Sequence, residues 1–576
     1  MSGILGLMDI AKRALAAEQV GVEVTSHNIS NVNTAGYSRQ IVTFETSLPL
    51  PSPYGPMGYG VDVTGIERAF DPFVVSKLDE NTSYLEANKT LKTELDQVAS
   101  LFNETQTGSL GELFSGFWDA WQALADNPSG AGERQSLLTQ SENLADALNF
   151  RADQLVQTRT SITQKIGPTI DEINSYASQI AELNKEIKSI EVNGQMANDL
   201  RDQRNLAINN LAKLTGINYY ATGDGTISVT LPNGTALVDG LNAYSLRYEV
   251  TPTDTISVIW QGPGGSELDV TYNLSGGDLA AQIQVRDTLI PQYQADLDAI
   301  AKELIAQVNS LHSQGVGVDL YSTATSSNFV STADLAAPLI NNPSLSFGDQ
   351  ISIGQFTIHV EDANGASAAT TINIAAGTTL NDLATALNAV PNLSASIVTD
   401  GNENRLQITA ASGYSFGFSG DDSQALMALG LNTFFKGDSA WSIGVNDALV
   451  NDSNLIATGQ IDPATGEHPP GDNRNALLLA DLANQTVAPG GLTFSDAYQK
   501  LVTDIGLDAE EAGNKQTYYQ GLVDQFSQLR DSVSGVSLDE ELTNLIKFQR
   551  AYQAAAKMVT TADELLQTLL SLKSGG

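Results

Sequence analysis

Side chains that could take up a proton or hold a metal are sparse in this sequence and poorly spaced for either task. Its four histidines are His27, His312, His359 and His468, and no two stand at the i, i+4 interval that places a pair of imidazoles on one helix face. There is no cysteine, which removes thiolate nucleophiles, thiolate metal ligands and disulfides together. No HExxH, GxSxG or phosphate-cradling GxxxxGKS/T stretch occurs. Asp421-Asp422 and Asp539-Glu540-Glu541 are acidic clusters. A calcium loop needs oxygen ligands at several fixed positions and a trailing glutamate, which neither supplies. Both are expected to be solvated surface, or, for Asp539 and Glu540, a helix N-terminus. Gly223-Asp224-Gly225 and Gly262-Pro263-Gly264-Gly265 lie between strand-like runs and read as turns. Trp118 and Trp121 could stack a ligand, but packing between helices is the favoured reading among so many Phe and Leu. The residues assign no catalytic side chain, no cofactor site and no metal site, so an enzyme is not expected.

Composition narrows the partners. The chain has 576 residues, too many for one core, and roughly three or four domains are expected. Hydrophobic residues make up 41%, enough for packed cores. Asp and Glu number 67 against 29 Lys and Arg, a formal net charge of −38. Such a chain repels phosphate backbones and anionic headgroups, so neither nucleic acid nor a membrane is an expected partner. No apolar run approaches the ~20 residues that cross a bilayer. Asp9, Lys12 and Arg13 interrupt the N-terminal apolar residues where a cleavable signal needs its apolar core. If the protein leaves the cytoplasm, the expected route does not use that signal.

The elements that position any site are set by heptads at the two ends. Leu538, Leu545, Tyr552, Val559 and Leu566 step by seven, with Glu541, Phe548, Ala555, Ala562 and Leu569 three positions further on. Met8, Leu15, Val22 and Ile29 do the same near the N-terminus, with Ile4, Ala11 and Val32 as companions and Glu18 and Thr25 as interruptions. This is the pattern of helices that bury a narrow stripe against another helix, and also that of two ordinary amphipathic surface helices. The first helix is expected over about 3–33, ending in an Asn-rich stretch with Gly36 as a left-handed terminator. Gln40–Thr46 and the Val61, Val63, Ile66 run read as extended. From Tyr84 to about Leu214 the pattern is helical, with breaks at Asn127-Pro128 and at Gly167-Pro168. Asp199-Leu200-Arg201-Asp202-Gln203-Arg204 reads as a charged helix face. Strand alternation occupies about 216–275, helix returns to Gly315, and a second strand-rich stretch covers about 342–446 before helix resumes.

Residues 28–40, Asn28-Ile29-Ser30-Asn31-Val32-Asn33-Thr34-Ala35-Gly36-Tyr37-Ser38-Arg39-Gln40, resemble the N-terminal signature of bacterial flagellar rod, hook and hook-associated proteins. The ending Tyr37-Ser38-Arg39-Gln40 is similar to the hook-associated members that join hook to filament. Ser534–Leu542 and Phe548–Lys557 resemble the closing helix of the same family, and the 342–446 stretch resembles β-rich modules of filament and cap proteins. The resemblance turns the heptads into an expected coiled coil. It implies a multidomain fold in which a terminal α-helical coiled coil and an α-helical shaft carry inserted β-rich domains. The expected divisions are 1–80 with 520–576 for assembly; 81–215, 276–341 and 447–519 for the shaft; 216–275 and 342–446 for the insertions. Met8, Leu15, Val22, Ile29, Leu538, Leu545, Phe548, Tyr552, Val559, Leu566 and Leu569 would form the assembly interface. Asn28, Asn31, Asn33, Gly36, Tyr37, Arg39 and Gln40 carry the family signature.

The resemblance further implies export through the flagellar secretion apparatus to the extracellular flagellum and a homo-oligomeric helical ring. Hook protein and a second hook-associated junction protein would be neighbours, with an export chaperone on the C-terminal helix. Another axial protein, of hook or flagellin type, a surface adhesin using the β modules, and an enzyme within an insertion are the alternatives. Interrupted heptads of this length are marginal as isolated helices, so the termini are expected to order on assembly.

Overall fold

The computed structural model describes residues 2–52, 55–103, 108–463 and 465–574. The chain opens with α1 (Ser2–Ser30), rich in the strong helix formers Ala and Leu. It stops before Asn33. Ser26 and Ser30 turn their hydroxyls back onto carbonyls four residues earlier, and the Asn31 amide donates to the His27 carbonyl. Gly36, at φ 77°, closes the following turn and is not the helix cap. Strand β1 (Gln40–Thr46) pairs antiparallel with β4 (Val61–Arg68), Gln40 opposite Arg68. Between them lies the hairpin of β2 (Leu50–Ser52) and β3 (Gly55–Met57).

Long helices follow: α2 (Pro72–Leu101), α3 (Leu110–Asp126), α4 (Ala131–Glu191) and α5 (Asn198–Leu214). Ser109 caps α3, its hydroxyl accepting the Glu112 N–H. The break at Asn127-Pro128 is present, but the one expected at Gly167-Pro168 is not: α4 runs unbroken for 61 residues through Pro168. Ile162, Ile166, Ile170 and Ile173 flank that proline and are each at most 3% exposed. Their burial outweighs the roughly 3 kcal/mol that an interior proline costs.

Antiparallel sheet order is β5 (Asn218–Ala221), β6 (Ile227–Thr230), β7 (Ala236–Asp239), β8 (Asn242–Ala243). A second small sheet places β10 (Ile256–Gln261) between β9 (Ser245–Val250) and β11 (Glu267–Asp269). Helix α6 (Gly277–Gln284) leads through a π-helical turn into α7 (Ile290–His312), with Pro291 in its first turn, where no N–H is needed. Then come β12 (Thr323–Thr325), β13 (Val330–Ser331), β14 (Gly354–Asp362) and β15 (Ser367–Ile374). Helix α8 (Leu380–Asn388) opens on a capping box in which Thr379 and Asp382 satisfy each other's backbone N–H. Strands β16 (Leu393–Asp400), β17 (Glu403–Ala410) and β18 (Tyr414–Ser419) complete the second strand-rich stretch. There β17 pairs with β12, β13 and β16, and β14 lies between β15 and β18. The chain ends through α9 (Ala425–Leu429), β19 (Phe435–Lys436), β20 (Gly444–Val445), α10 (Asp447–Asn451), α11 (Arg474–Asp481), α12 (Phe494–Ser534) and α13 (Leu538–Ser574).

Two compact units result. One comprises Met1–Thr93, Ile162–Asp287 and Glu510–Gly576; the other comprises Glu94–Ser161 and Thr288–Ala509. In the first, the α4 isoleucines pack with Ala207, Ile208 and Leu211 of α5 and with Val229, Val238 and Val258 of the inserted sheets. In the second, Phe117, Trp121, Phe434 and His312 interlock, Trp121 to Phe434 at 5.1 Å between centroids. Trp118 and Trp121 are thus core residues, at 8% and 0% exposed. Asp421 is also inside, at 3% exposed, contrary to the solvated surface expected. Its carboxylate accepts from the Ser423 and Leu426 N–H groups, which the start of α9 leaves without helical partners.

His312 is fully buried between the Asn432 carbonyl, at 2.8 Å from Nδ1, and the Ala457 N–H, which donates to Nε2 at 3.0 Å. These contacts fix the neutral tautomer, and burial lowers its pKa to about 4. A histidine whose pKa falls on folding costs stability as pH drops below its unfolded value of 6.5, down to about 4. We expect the second unit to lose about 3 kcal/mol from this group over that window. Denaturant unfolding of wild type and His312→Gln at pH 7 and pH 4.5 checks this: the variant should show a flatter pH dependence.

Candidate functional site

The two ends of the chain meet along their length. α1 and α13 run antiparallel, Asn28 standing beside Glu541 and Gly21 beside Phe548, one heptad further along each helix. A Cβ on Gly21 would sit 2.7 Å from the Phe548 ring, so glycine permits this close approach. Phe44 of β1 adds an aromatic neighbour to Phe548 at 6.4 Å.

At the end of this pairing lies a buried polar node. Asn28, 1% exposed, spends every donor and acceptor of its amide. Nδ2 donates to the Gln40 carbonyl and to Glu541 Oε2, both at 2.9 Å. Oδ1 accepts from the Gln40 N–H at 2.9 Å and from the Tyr37 hydroxyl at 2.7 Å. Because Tyr37 donates to Asn28, its oxygen is left to accept from His27 Nδ1 at 3.0 Å. Burial first, then the charges of Asp199, Asp202 and Glu541, push the Tyr37 hydroxyl pKa up and keep it a donor. The Arg39 N–H donates to the Ser534 carbonyl at 2.8 Å, and its guanidinium meets Glu540 at 2.9 Å.

Helix α5 holds the other side of the loop. Asp202, 5% exposed, accepts from the Ser38 N–H and hydroxyl, both at 2.8 Å, and from Arg68 at 2.6 Å. Burial pushes its carboxyl up, opposed by the Arg68 guanidinium and Ser38. Asp199 accepts from Gln40 Nε2 at 2.7 Å. The stretch read as a charged helix face therefore does more than decorate it: Asp199 and Asp202, three residues apart and so on one face, grip the signature loop. That spacing was the available signal.

The signature residues fall into two groups. Asn28, Tyr37, Arg39 and Gln40 join the node, whereas Asn31 bonds back to α1 and Asn33 is exposed. Gly36 lies against Leu206 of α5, where a Cβ would come within 3.3 Å. Of the heptad residues, Met8, Leu15, Val22, Ile29, Leu545, Phe548, Val559 and Leu566 are half-buried, while Leu538, Tyr552 and Leu569 are exposed. The deeply buried positions of α13 are Glu541, Ala555 and Ala562, matched on α1 by Ala11, Ala17, Gly21, Val24, Thr25 and Asn28. Glu541, which interrupts the heptad, is 2% exposed at the node and is not solvated acid. Thr25, the other buried interruption, returns its hydroxyl to the Gly21 carbonyl at 2.8 Å. The helices thus pair within one chain along one edge of the stripe and leave the other edge open.

The comparisons follow this architecture. The family described as Flagellar hook-associated protein FlgK helical domain matches residues 95–329. Flagella basal body rod protein matches 8–37, and Flagellar basal body rod FlgEFG protein C-terminal matches 528–572, the two segments that meet at the node. The Flagellin hook IN motif matches 355–412. Flagellar hook-associated protein 1 of Salmonella typhimurium is 28% identical over 98% of this chain and 100% of its own. The Bacillus subtilis protein of that name is 27% identical over 99% and 98%. The solved flagellar hook junction protein FlgK from Burkholderia pseudomallei covers 80% of this chain with TM-score 0.51 at 20% identity, a likeness of fold. Rod-type ends closing on each other around such a helical domain define a structural component of the bacterial flagellar axis. Over nearly its whole length the chain is similar to flagellar hook-associated proteins.

Asn28→Ala removes the partner of a buried carboxylate and of both Gln40 backbone groups. We expect it to cost about 2–4 kcal/mol in the first unit, against under about 1 kcal/mol for Asn33→Ala. Urea unfolding followed by circular dichroism distinguishes them.

Proposed function

We propose that this chain forms the junction between hook and filament, assembling as a helical ring through its terminal helices. The carrying observation is the half-open stripe of α13: one edge is closed on α1, while Leu538 and Tyr552 on the other remain exposed at 46% and 40%, and Leu569, beyond the start of α1, at 43%. An unpaired apolar edge on a paired helix is what a neighbouring copy would cover. In this reading 1–80 and 520–576 act as the assembly domain, and Met8, Leu15, Val22, Ile29, Leu545, Phe548, Val559 and Leu566 complete the seam. The helical stretches 81–215, 276–341 and 447–519 are the shaft, with insertions at 216–275 and 342–446. The relatives' names, hook-associated and hook junction, support hook protein on one side and a second hook-associated protein on the other. The same open edge gives an export chaperone a surface to shield before the protein reaches the extracellular flagellum. Among the described residues no helix is long and apolar enough to cross a membrane.

The test is an add-back to isolated hooks lacking their junction proteins, together with the second junction protein and flagellin, imaged by electron microscopy. Filaments should grow only when this protein is supplied. Val559→Asp should reduce incorporation at least tenfold while the second unit unfolds as in wild type. Normal incorporation of that variant would remove α13 from the seam.

A further inference from the structure

Beside the Asn28 node lies an open cleft of about 840 Å³, bounded by 31–39, by α2 and α5, and by the turn joining α12 to α13. Its lining carries the exposed Asn33 amide and two guanidinium groups, Arg39 paired with Glu540 and Arg530 with Asp531, each with further N–H groups to give. Asp79 at its floor is already spent on Asn209 and Tyr219, at 2.7 and 2.8 Å.

The same unit carries a segment of complementary chemistry that cannot reach this cleft in its own chain. The hairpin between β1 and β4 contains Pro49, Pro51 and Pro56, none of which has an N–H, so its backbone offers carbonyl acceptors in excess of donors. Leu48 is 87% exposed and Met57 58%. The hairpin's base is tied to the first half of α1: Tyr59 donates to Asp9 at 2.8 Å, and Arg13 pairs with Asp62 at 2.5 Å. The cleft begins at Asn31, and at 1.5 Å per helical residue the two lie about 30 Å apart along α1.

We propose that the cleft receives the Leu48–Pro49 and Pro56–Met57 segments of a second copy, whose carbonyls accept from the Asn33 amide and from the arginine N–H groups that Glu540 and Asp531 leave over. This rests on assembly through the terminal domain and specifies its geometry. The surfaces that meet are different on the two copies, so the contact is heterologous and continues from copy to copy, as a helical array requires.

The absence of cysteine makes a direct test clean. Met57→Cys protein and Ala35→Cys protein, the latter altered at the cleft rim, are mixed, seated on hooks and oxidised with copper–phenanthroline. We expect a disulfide-linked dimer in the mixture after seating, and none from either variant alone or from the unseated mixture. Leu48→Ser/Met57→Ser protein should seat at least tenfold less well with an unchanged circular dichroism spectrum. Normal seating of the double variant without a cross-link in the mixture overturns the docking while leaving the junction role intact. Failure of wild type to seat at all overturns both.

Discussion

A buried asparagine amide shared between the two ends of the chain is the constraint on which the terminal domain depends. Asn28 and Glu541 stand 513 residues apart in sequence, and their hydrogen bond ties α1, the signature loop and the first turn of α13 together. A buried carboxylate is tolerated only when its partners are in place, so the node accepts one alignment of the two helices and penalises the rest. A one-residue slip would carry Glu541 away from Asn28 and place a side chain where Gly21 now meets Phe548. A polar pair within an apolar seam sets register in just this manner in coiled coils, at some expense in stability.

The node also separates the two tasks of α13. Its buried edge, built from small residues such as Ala555 and Ala562, lets α1 approach closely. Its open edge carries the larger Leu538 and Tyr552. Small residues inside and large ones outside reverse the ordinary order of a soluble helix, and the reversal makes sense when the outside is destined for a further copy. Asp199 and Asp202 of α5 anchor the same loop from the opposite direction, so the register set by Asn28 reaches the body of the first unit.

Local structure was largely legible in the sequence. The bounds of β1 and the break at Asn127-Pro128 follow from residue chemistry acting over a few positions. What local rules missed was decided by packing at a distance. Pro168 sits inside α4 because four flanking isoleucines are buried. Asp421 and Asp202 looked like solvated charge because their backbone and arginine partners lie elsewhere in the chain. Glu541 looked like a flaw in a heptad for the same reason. The signature residues were identifiable only by family resemblance, since an Asn-rich helix end has an adequate local explanation. The resemblance said which residues matter; the hydrogen bonds of Asn28 say why.

Amide hydrogen exchange on the soluble single chain tests this account most directly. If the node closes the two ends, α1 and α13 amides are protected together and open as one unit. Asn28→Ala should then lower protection in both helices while leaving the α4 core protected. Full-speed exchange of α13 in the wild-type monomer, with α1 still protected, would contradict the account, because the helices would not be paired before assembly.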